Sequence, residues 1–410
     1  MAGMDATGKT PAARRAAAPA ARRAAAAARG SFPAFVLLQG ALYAAYGTEA
    51  PFLPSFLGER GLSPGEIGVA LAAGTLMRLA AGPVAGHLAD RYDATRLVLG
   101  SAAAAAGLIS FAYLLGHGFW PLLAIGVAHA AAIAALAPLA DTLALAAAER
   151  EGTFSYGWVR GAGSAAFVLG TLASGQLVAW AGLASIIVSS GALFLAMALA
   201  AARVPPAPRR QEATSLGLDG LRDLLARPRF RRMLLVAALV IGSQALNDAF
   251  AVICWREAGI GAGTISLLWS EAVASEVVVF VLAGPWLLAR LGPARAATLA
   301  ALAGVARWSL MASTTAVPIL AVGQLAHGLT FALLHLANMR LIAEIVPERL
   351  AATSQTLYGT LGLGLASAVL TAAAGLLYGH LGAGAFWAMA ALCAAAVPLA
   401  AGLGRGAAAA

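Results

Sequence analysis

The sequence is poor in charge. Only 11% of its 410 residues are Asp, Glu, Lys or Arg while 61% are hydrophobic, which excludes the surface of an ordinary soluble domain. Cysteine is nearly absent. Cys254 and Cys393 lie in or beside apolar stretches, with no CxxC spacing and no neighbouring histidine. That excludes a disulfide framework and a thiolate metal centre, and both read as small apolar fillers. No GxxxxGK[ST] run is present, so a phosphate-binding loop for ATP is excluded. Short alternating strands, the mark of a membrane barrel, are missing as well.

What is present is apolar length. The chain supplies about twelve stretches, each long enough for the ~20 residues of helix that cross a ~30 Å bilayer core. Hydropathy predicts spans over 34–57, 66–89, 95–116, 120–147, 158–180 and 184–203, then 231–255, 263–288, 295–314, 316–345, 351–378 and 382–403. The expected fold is an all-α membrane protein of twelve transmembrane helices in two six-helix halves. A polar break over 204–230, carrying Pro205, Pro206 and Pro208, separates residues 31–203 from residues 231–410. Residues 1–30 are rich in Ala and Arg, lack the apolar core of a signal peptide, and read as a disordered cytoplasmic extension.

The net charge of +9 comes mainly from arginines in 14–29 and from Arg203 to Arg232. Both groups flank predicted spans, where basic residues mark the cytoplasmic side. Both termini are therefore expected in the cytoplasm, with anionic lipid rather than nucleic acid as the partner of the basic linker.

The apolar chain is also a repeat. Arg78 and Glu276 interrupt matching stretches 198 residues apart, and the same offset carries Gly61 to Gly259, Gly86 to Gly284, His129 to His327 and Gly161 to Gly359. An even number of helices separates equivalent points, so the halves are parallel. That arrangement puts a solute site at their interface near mid-membrane, the organisation of secondary transporters. Runs such as Gly161–Gly163 and Gly359–Gly364 suit close helix contacts.

Between the second and third spans lies Gly86-His87-Leu88-Ala89-Asp90-Arg91-Tyr92-Asp93, followed by Arg96. This resembles the cytoplasmic loop signature of the major facilitator superfamily. The resemblance implies that Gly86 permits close helix contact while Asp90 and Arg91 latch the halves. A degenerate copy, Gly284 to Arg290 with Arg295, lacks the aspartate. Tyr156 to Ser164, Ser275-Glu276-Val277, Arg307-Trp308, His327 to Phe331 with His335, and Pro347 to Tyr358 are similar to the phenylpropionate permease family, relatives of the oligosaccharide/proton symporters. That resemblance, over residues 40–390, implies proton symport of a small organic solute by alternating access across the inner membrane. An aromatic carboxylate such as 3-phenylpropionate is the solute implied. No cofactor is expected, and one chain suffices for the pathway.

A charged side chain at mid-helix costs ~2.5–3.5 kcal/mol on insertion scales, so each needs a partner or water. Resemblance to the galactoside symporters implies that Glu276, Arg307 and His327 line the cavity and handle the coupling proton. Low dielectric holds a proton on a carboxylate and a nearby guanidinium releases it, so movement of Arg307 would load and unload Glu276. The galactoside symporters carry an acid one turn beyond the histidine, where this chain has Thr330. That leaves Glu276 as the first choice of proton carrier and Glu49 as the second, against a structural role for Glu276 as partner of Arg78 or Arg307. Glu271 lies about 140° round the helix from Glu276, so the two do not share a face. Glu49, with Asn247 and Asp248, occupies corresponding thirds of helices one and seven and reads either as solute-binding or as an external gate. Asp141 and Arg160 read as an internal gate pair. Arg78 is the candidate to hold an anion in bidentate geometry, or else a permanent partner of Glu276. His335 joins the solute-binding set, and Tyr46, Trp255, Trp269 and Trp308 are candidates to stack on an aromatic ring. Haem ligation by His327 and His335 fails, since they lie about 12 Å apart along one helix.

Competing readings are proton-coupled efflux of drugs or metabolites, sugar or nucleoside symport, and a membrane sensor that binds solute without moving it. A serine hydrolase at Gly163-Ser164 lacks a compelling paired base.

Overall fold

The computed structural model describes residues 31–206 and 218–406. The extension 1–30 and the middle of the linker lie outside the described residues. Every regular element described is helical. Before the linker come α1 (31–49), α2 (Leu53–Glu59), α3 (Pro64–Arg91), α4 (Thr95–Ala112), α5 (Phe119–Ile133), α6 (Leu136–Glu151), α7 (Tyr156–Ala181) and α8 (Ala184–Ala201). Then come α9 (Leu218–Ala226), α10 (Pro228–Val240), α11 (Gln244–Leu246), α12 (Val252–Glu257), α13 (Ala262–Val278) and α14 (Gly284–Ser313). The chain ends with α15 (Val317–Leu325), α16 (Leu334–Ile345), α17 (Ala351–Leu357), α18 (Ala366–Leu381) and α19 (Phe386–Ala401).

Among the described residues, nine helical segments are long and apolar enough to cross a membrane. Two exceed what one crossing needs: Ala262–Ser313 has 52 residues and Glu348–Gly404 has 57, against the ~20 that span the bilayer core. Each is interrupted once. Gly292 takes φ 71° ahead of Pro293, and Gly382 takes φ 53° after α18. Glycine enters the positive-φ region without a Cβ clash, and proline has no N–H to continue the ladder, so the first chain turns back there.

Local chemistry sets the other ends. Ser63 and Glu66 form a reciprocal capping box at the start of α3, with Ser63 N donating to Glu66 Oε2 at 2.8 Å and Pro64 in the first turn. The repeat-related Gly61 and Gly259 both take positive φ, 94° and 81°, just after α2 and α12. One expectation is corrected. The first span does not run unbroken to residue 57, because Pro51 lies in a turn between α1 and α2. Within the linker α9 forms.

Four π-helical stretches follow residue 231: Asn247–Ala251, Val279–Ala283, Leu329–Leu333 and Tyr358–Leu365. Each π turn inserts a residue and re-aims the side chains beyond it, a feature frequent at functional sites. Within the repeats, α4 packs on α8 and α14 on α19. Between the repeats, α3 packs on α18 and α7 on α13. Those two inter-repeat seams position the site.

Candidate functional site

A cavity of about 690 Å³ lies between the repeats, lined from α1, α3 and α5 on one side and from Ile241–Ala249, Phe331 and Gly359–Thr371 on the other. One end is sealed by backbone. A Cβ on Gly68 of α3 would lie 2.8 Å from the Gly375 Cα of α18, and a Cβ on Gly175 of α7 would lie 2.7 Å from the Ala262 carbonyl oxygen of α13. Only glycine allows helices this close. At the other end the repeat-related Gly161 and Gly359 have open space where a Cβ would be, and the cavity opens there.

The second repeat supplies a buried polar chain. Arg307 of α14 is fully buried. Its Nη1 donates to Gln244 Oε1 at 2.7 Å and its Nη2 to Gln324 Oε1 at 3.0 Å. The guanidinium also lies 4.3 Å from the Trp308 ring centroid, a cation–π contact. Nη1 reaches His327 Nδ1 at 3.0 Å. A guanidinium only donates, so Nδ1 is the acceptor and the imidazole hydrogen sits on Nε2. That nitrogen lies 3.5 Å from Glu276 Oε2. Arg307 thus hydrogen-bonds His327, which in turn stands within ion-pair range of Glu276. Thr330 joins this group, accepting from Gln244 Nε2 at 2.9 Å.

The first repeat answers with Glu49, Arg78 and His129, all lining the cavity. Glu49 Oε1 is 3.7 Å from His129 Nδ1, while His129 Nε2 is 3.1 Å from Ser110 Oγ. Arg78 donates to Thr75 Oγ1 at 3.0 Å and makes no ion pair with a carboxylate among the described residues. Its expected alternative, a permanent pair with Glu276, is not formed. Asp248 faces the cavity from the π stretch of the second repeat and accepts from Asn247 Nδ2 at 3.2 Å. The walls near these charges are aromatic, with Tyr113, Phe167, Trp269 and Phe331.

The other expected residues lie elsewhere. His335 does not line the cavity; its Nδ1 is 3.2 Å from the Tyr358 hydroxyl. Asp141 and Arg160 do not pair. Asp141 accepts from Gln39 Nε2 at 2.7 Å, while Arg160 donates to Ser164 Oγ at 3.0 Å and sits 4.5 Å above the Tyr43 ring centroid. Each is satisfied within its own repeat at the open end. Asp90 and Arg91 are exposed without an ion pair among the described residues, and Gly86 contacts nothing at its Cβ position, so no latch is engaged. Of the stacking candidates, Trp269 lines the cavity, whereas Trp255 and Trp308 are fully buried away from it. Sequence reasoning missed the roles of His129, Ser110 and Gln324. The offset of 198 from His327 was the one signal for His129.

Helical membrane crossings around a central, one-sided cavity with buried ionisable groups define a multi-pass transporter of the major facilitator type. The chain belongs to the MFS_1 like family, which matches residues 38–389. A probable 3-phenylpropionic acid transporter of Escherichia coli (strain K12) is 33% identical over 358 residues, covering 85% of this chain and 91% of the relative. A maltose permease of Geobacillus stearothermophilus is 29% identical over 347 residues, covering 84% of this chain and 86% of the relative. The crystal structure of the nucleoside transporter NupG superposes with a TM-score of 0.80, covering 91% of this chain and 98% of that one; at 15% identity the likeness is one of fold. The protein is a secondary transporter of a small-molecule solute, not an enzyme.

Proposed function

We propose that the protein takes up an aromatic carboxylate, with 3-phenylpropionate as the model solute, together with protons. The observation that carries this reading is Arg78: a guanidinium facing an aromatic-walled cavity with no carboxylate of its own. A permanently charged fork matches a carboxylate in bidentate geometry, and flat apolar walls suit a phenyl ring. The 33% identity to the probable 3-phenylpropionic acid transporter supports the same solute. Glu276 carries the coupling proton, and His327, its tautomer fixed by Arg307, lies 3.5 Å away, where its Nε2 hydrogen stabilises the carboxylate once the proton leaves.

Twelve crossings in two halves, 31–203 and 231–410, joined by the linker 204–230, complete the reading. Both termini are cytoplasmic in the inner membrane, and a monomer forms the whole pathway. The halves rock about the cavity, exposing it to one side and then the other. In the next state Asp141 and Arg160, with Gly86, Asp90 and Arg91, close the end that is now open. A neutral sugar or nucleoside is the second reading, favoured by Asp248, Glu49 and Gln244, whose side chains suit hydroxyl groups.

The test is uptake of labelled 3-phenylpropionate into proteoliposomes of known orientation, with and without an inward proton gradient. Accumulation driven by the gradient and unaffected by excess maltose or nucleoside is expected. Competition by either of those, or net efflux, sinks the aromatic-acid reading.

A further inference from the structure

The two repeat-related histidines differ in one respect. His327 accepts at Nδ1 from a guanidinium that is never an acceptor, so while Arg307 stays in place this imidazole holds one hydrogen. His129 has no such restriction. Its Nδ1 faces the Glu49 carboxylate and its Nε2 faces a hydroxyl. Ser110 Oγ lies 3.1 Å from His129 Nε2 and 2.9 Å from the Ala106 carbonyl oxygen. With neutral His129, Nδ1–H points to Glu49 and the Ser110 hydroxyl donates to Nε2. When a proton is added, both nitrogens carry hydrogen. The hydroxyl then turns to the Ala106 carbonyl and accepts from Nε2–H. Nε2 keeps its Ser110 partner in both charge states without moving a helix, while Nδ1 stays within ion-pair range of Glu49 at 3.7 Å.

From this geometry we propose that Glu49 and His129 form a second proton-binding site, and that its protonation removes a negative charge from the cavity wall they share with Arg78, which strengthens the hold of Arg78 on the solute carboxylate. The dyad is buried yet lines the cavity. Its surroundings are few. Glu49 and Tyr46 come from α1, Arg78 from α3, and Ser110 with Tyr113 from α4 and its end. The α8 helix contributes the Phe194 ring, 5.6 Å away between centroids. Across the cavity stand Asp248 and His327. With neutral His129 the dyad carries one negative charge, which repels an anionic solute from the cavity that Arg78 faces. With the proton bound the dyad is neutral, and Arg78 is the uncompensated cation. Proton and anion then favour each other's binding, by reciprocal linkage. This inference rests on the anion reading above for its consequence but not for the site itself.

Two measurements test it. NMR of isotope-labelled histidine in the purified protein, with the His129 signal identified by its loss in His129→Gln, reports the site with no solute present. A His129 signal that reports a proton gained on acidification, and that responds differently in Glu49→Gln, is expected; a signal that keeps one charge state over the whole pH range in which the protein stays folded overturns the proposal. Equilibrium binding of labelled 3-phenylpropionate reads the consequence. Wild-type affinity is expected to fall on the order of tenfold from acid to alkaline pH as the dyad regains its charge. Glu49→Gln keeps the acid-side affinity at alkaline pH, whereas His129→Gln is weak at both. Equal weakening by both substitutions would mean a structural role and overturns the linkage. If no form binds 3-phenylpropionate at any pH, the solute reading has failed, and the histidine titration still decides the dyad.

Discussion

Two arginines in this protein meet opposite fates, and the contrast explains what each does. Arg307 is fully buried and held by Gln244, Gln324 and His327, all neutral acceptors, with its Nε left without a partner. Arg78 faces the cavity, donates to Thr75 and makes no ion pair among the described residues. A hydrogen bond to a charged group is worth ~1.5–3 kcal/mol, so Arg78→Gln is expected to weaken binding of labelled 3-phenylpropionate about 10- to 100-fold. Arg78→Lys should fall between, since it keeps the charge but not the fork. Unchanged affinity in Arg78→Gln would remove the residue from the site. Arg307 works on its neighbours. Arg307→Met leaves Gln244 and Gln324 with buried acceptors unmet, at ~1–3 kcal/mol each, and leaves the His327 tautomer unfixed. Thermal unfolding should therefore drop, and gradient-driven accumulation should be lost in the same variant. Retained stability and coupling would show that the buried charge is dispensable.

At the scale of elements, the seams between the repeats decide which end is open. The α3–α18 contact at Gly68 and Gly375 and the α7–α13 contact at Gly175 leave no room for a side chain. Gly68→Leu must force the sealed end apart. A cysteine placed at Ala70, buried in the cavity wall, should then become labelled from that side, against low background because Cys254 and Cys393 are both buried. Gly359→Leu fills space that is empty now and should hinder closure of the open end instead, lowering that labelling. Equal labelling in both variants would break the link between these glycines and the two states. Much of this was legible beforehand. Uninterrupted apolar runs mark helices in lipid, and, the broken first span apart, the helix ends lie within a few residues of the predicted spans. The offset that pairs Gly161 with Gly359 is visible in the letters. The π stretches are not, because Asn247–Ala251 and Tyr358–Leu365 carry no sequence signal distinct from α-helix. The partners of Asp141 and Glu49 were equally hidden. A hydrogen bond from Gln39 to Asp141, or a carboxylate against His129, depends on how helices far apart in sequence rotate toward each other.

For the whole molecule, the charge count sets the energetics of transport. If Glu276 alone exchanges a proton, an anion enters with one proton and the cycle moves no net charge. If the Glu49–His129 dyad also takes a proton with the solute, each turnover carries one positive charge inward. A membrane potential acts on a net charge with ~2.3 kcal/mol per 100 mV, which corresponds to about 50-fold in accumulation. With only one proton the potential contributes nothing. Wild-type proteoliposomes are therefore expected to accumulate labelled 3-phenylpropionate more strongly when an inside-negative potential is imposed at equal pH on both sides. Glu49→Gln should lose that response while still accumulating solute under a pH gradient, because Glu276 and His327 remain in contact on the far side of the cavity. Glu276→Gln should lose accumulation under a pH gradient yet keep solute exchange, since exchange needs only the loaded carrier to rock. Potential-independent uptake in the wild type would confine coupling to Glu276 and make the dyad's proton a resident of the cavity wall. Loss of exchange in Glu276→Gln would make that carboxylate part of the solute site or of the helix packing instead.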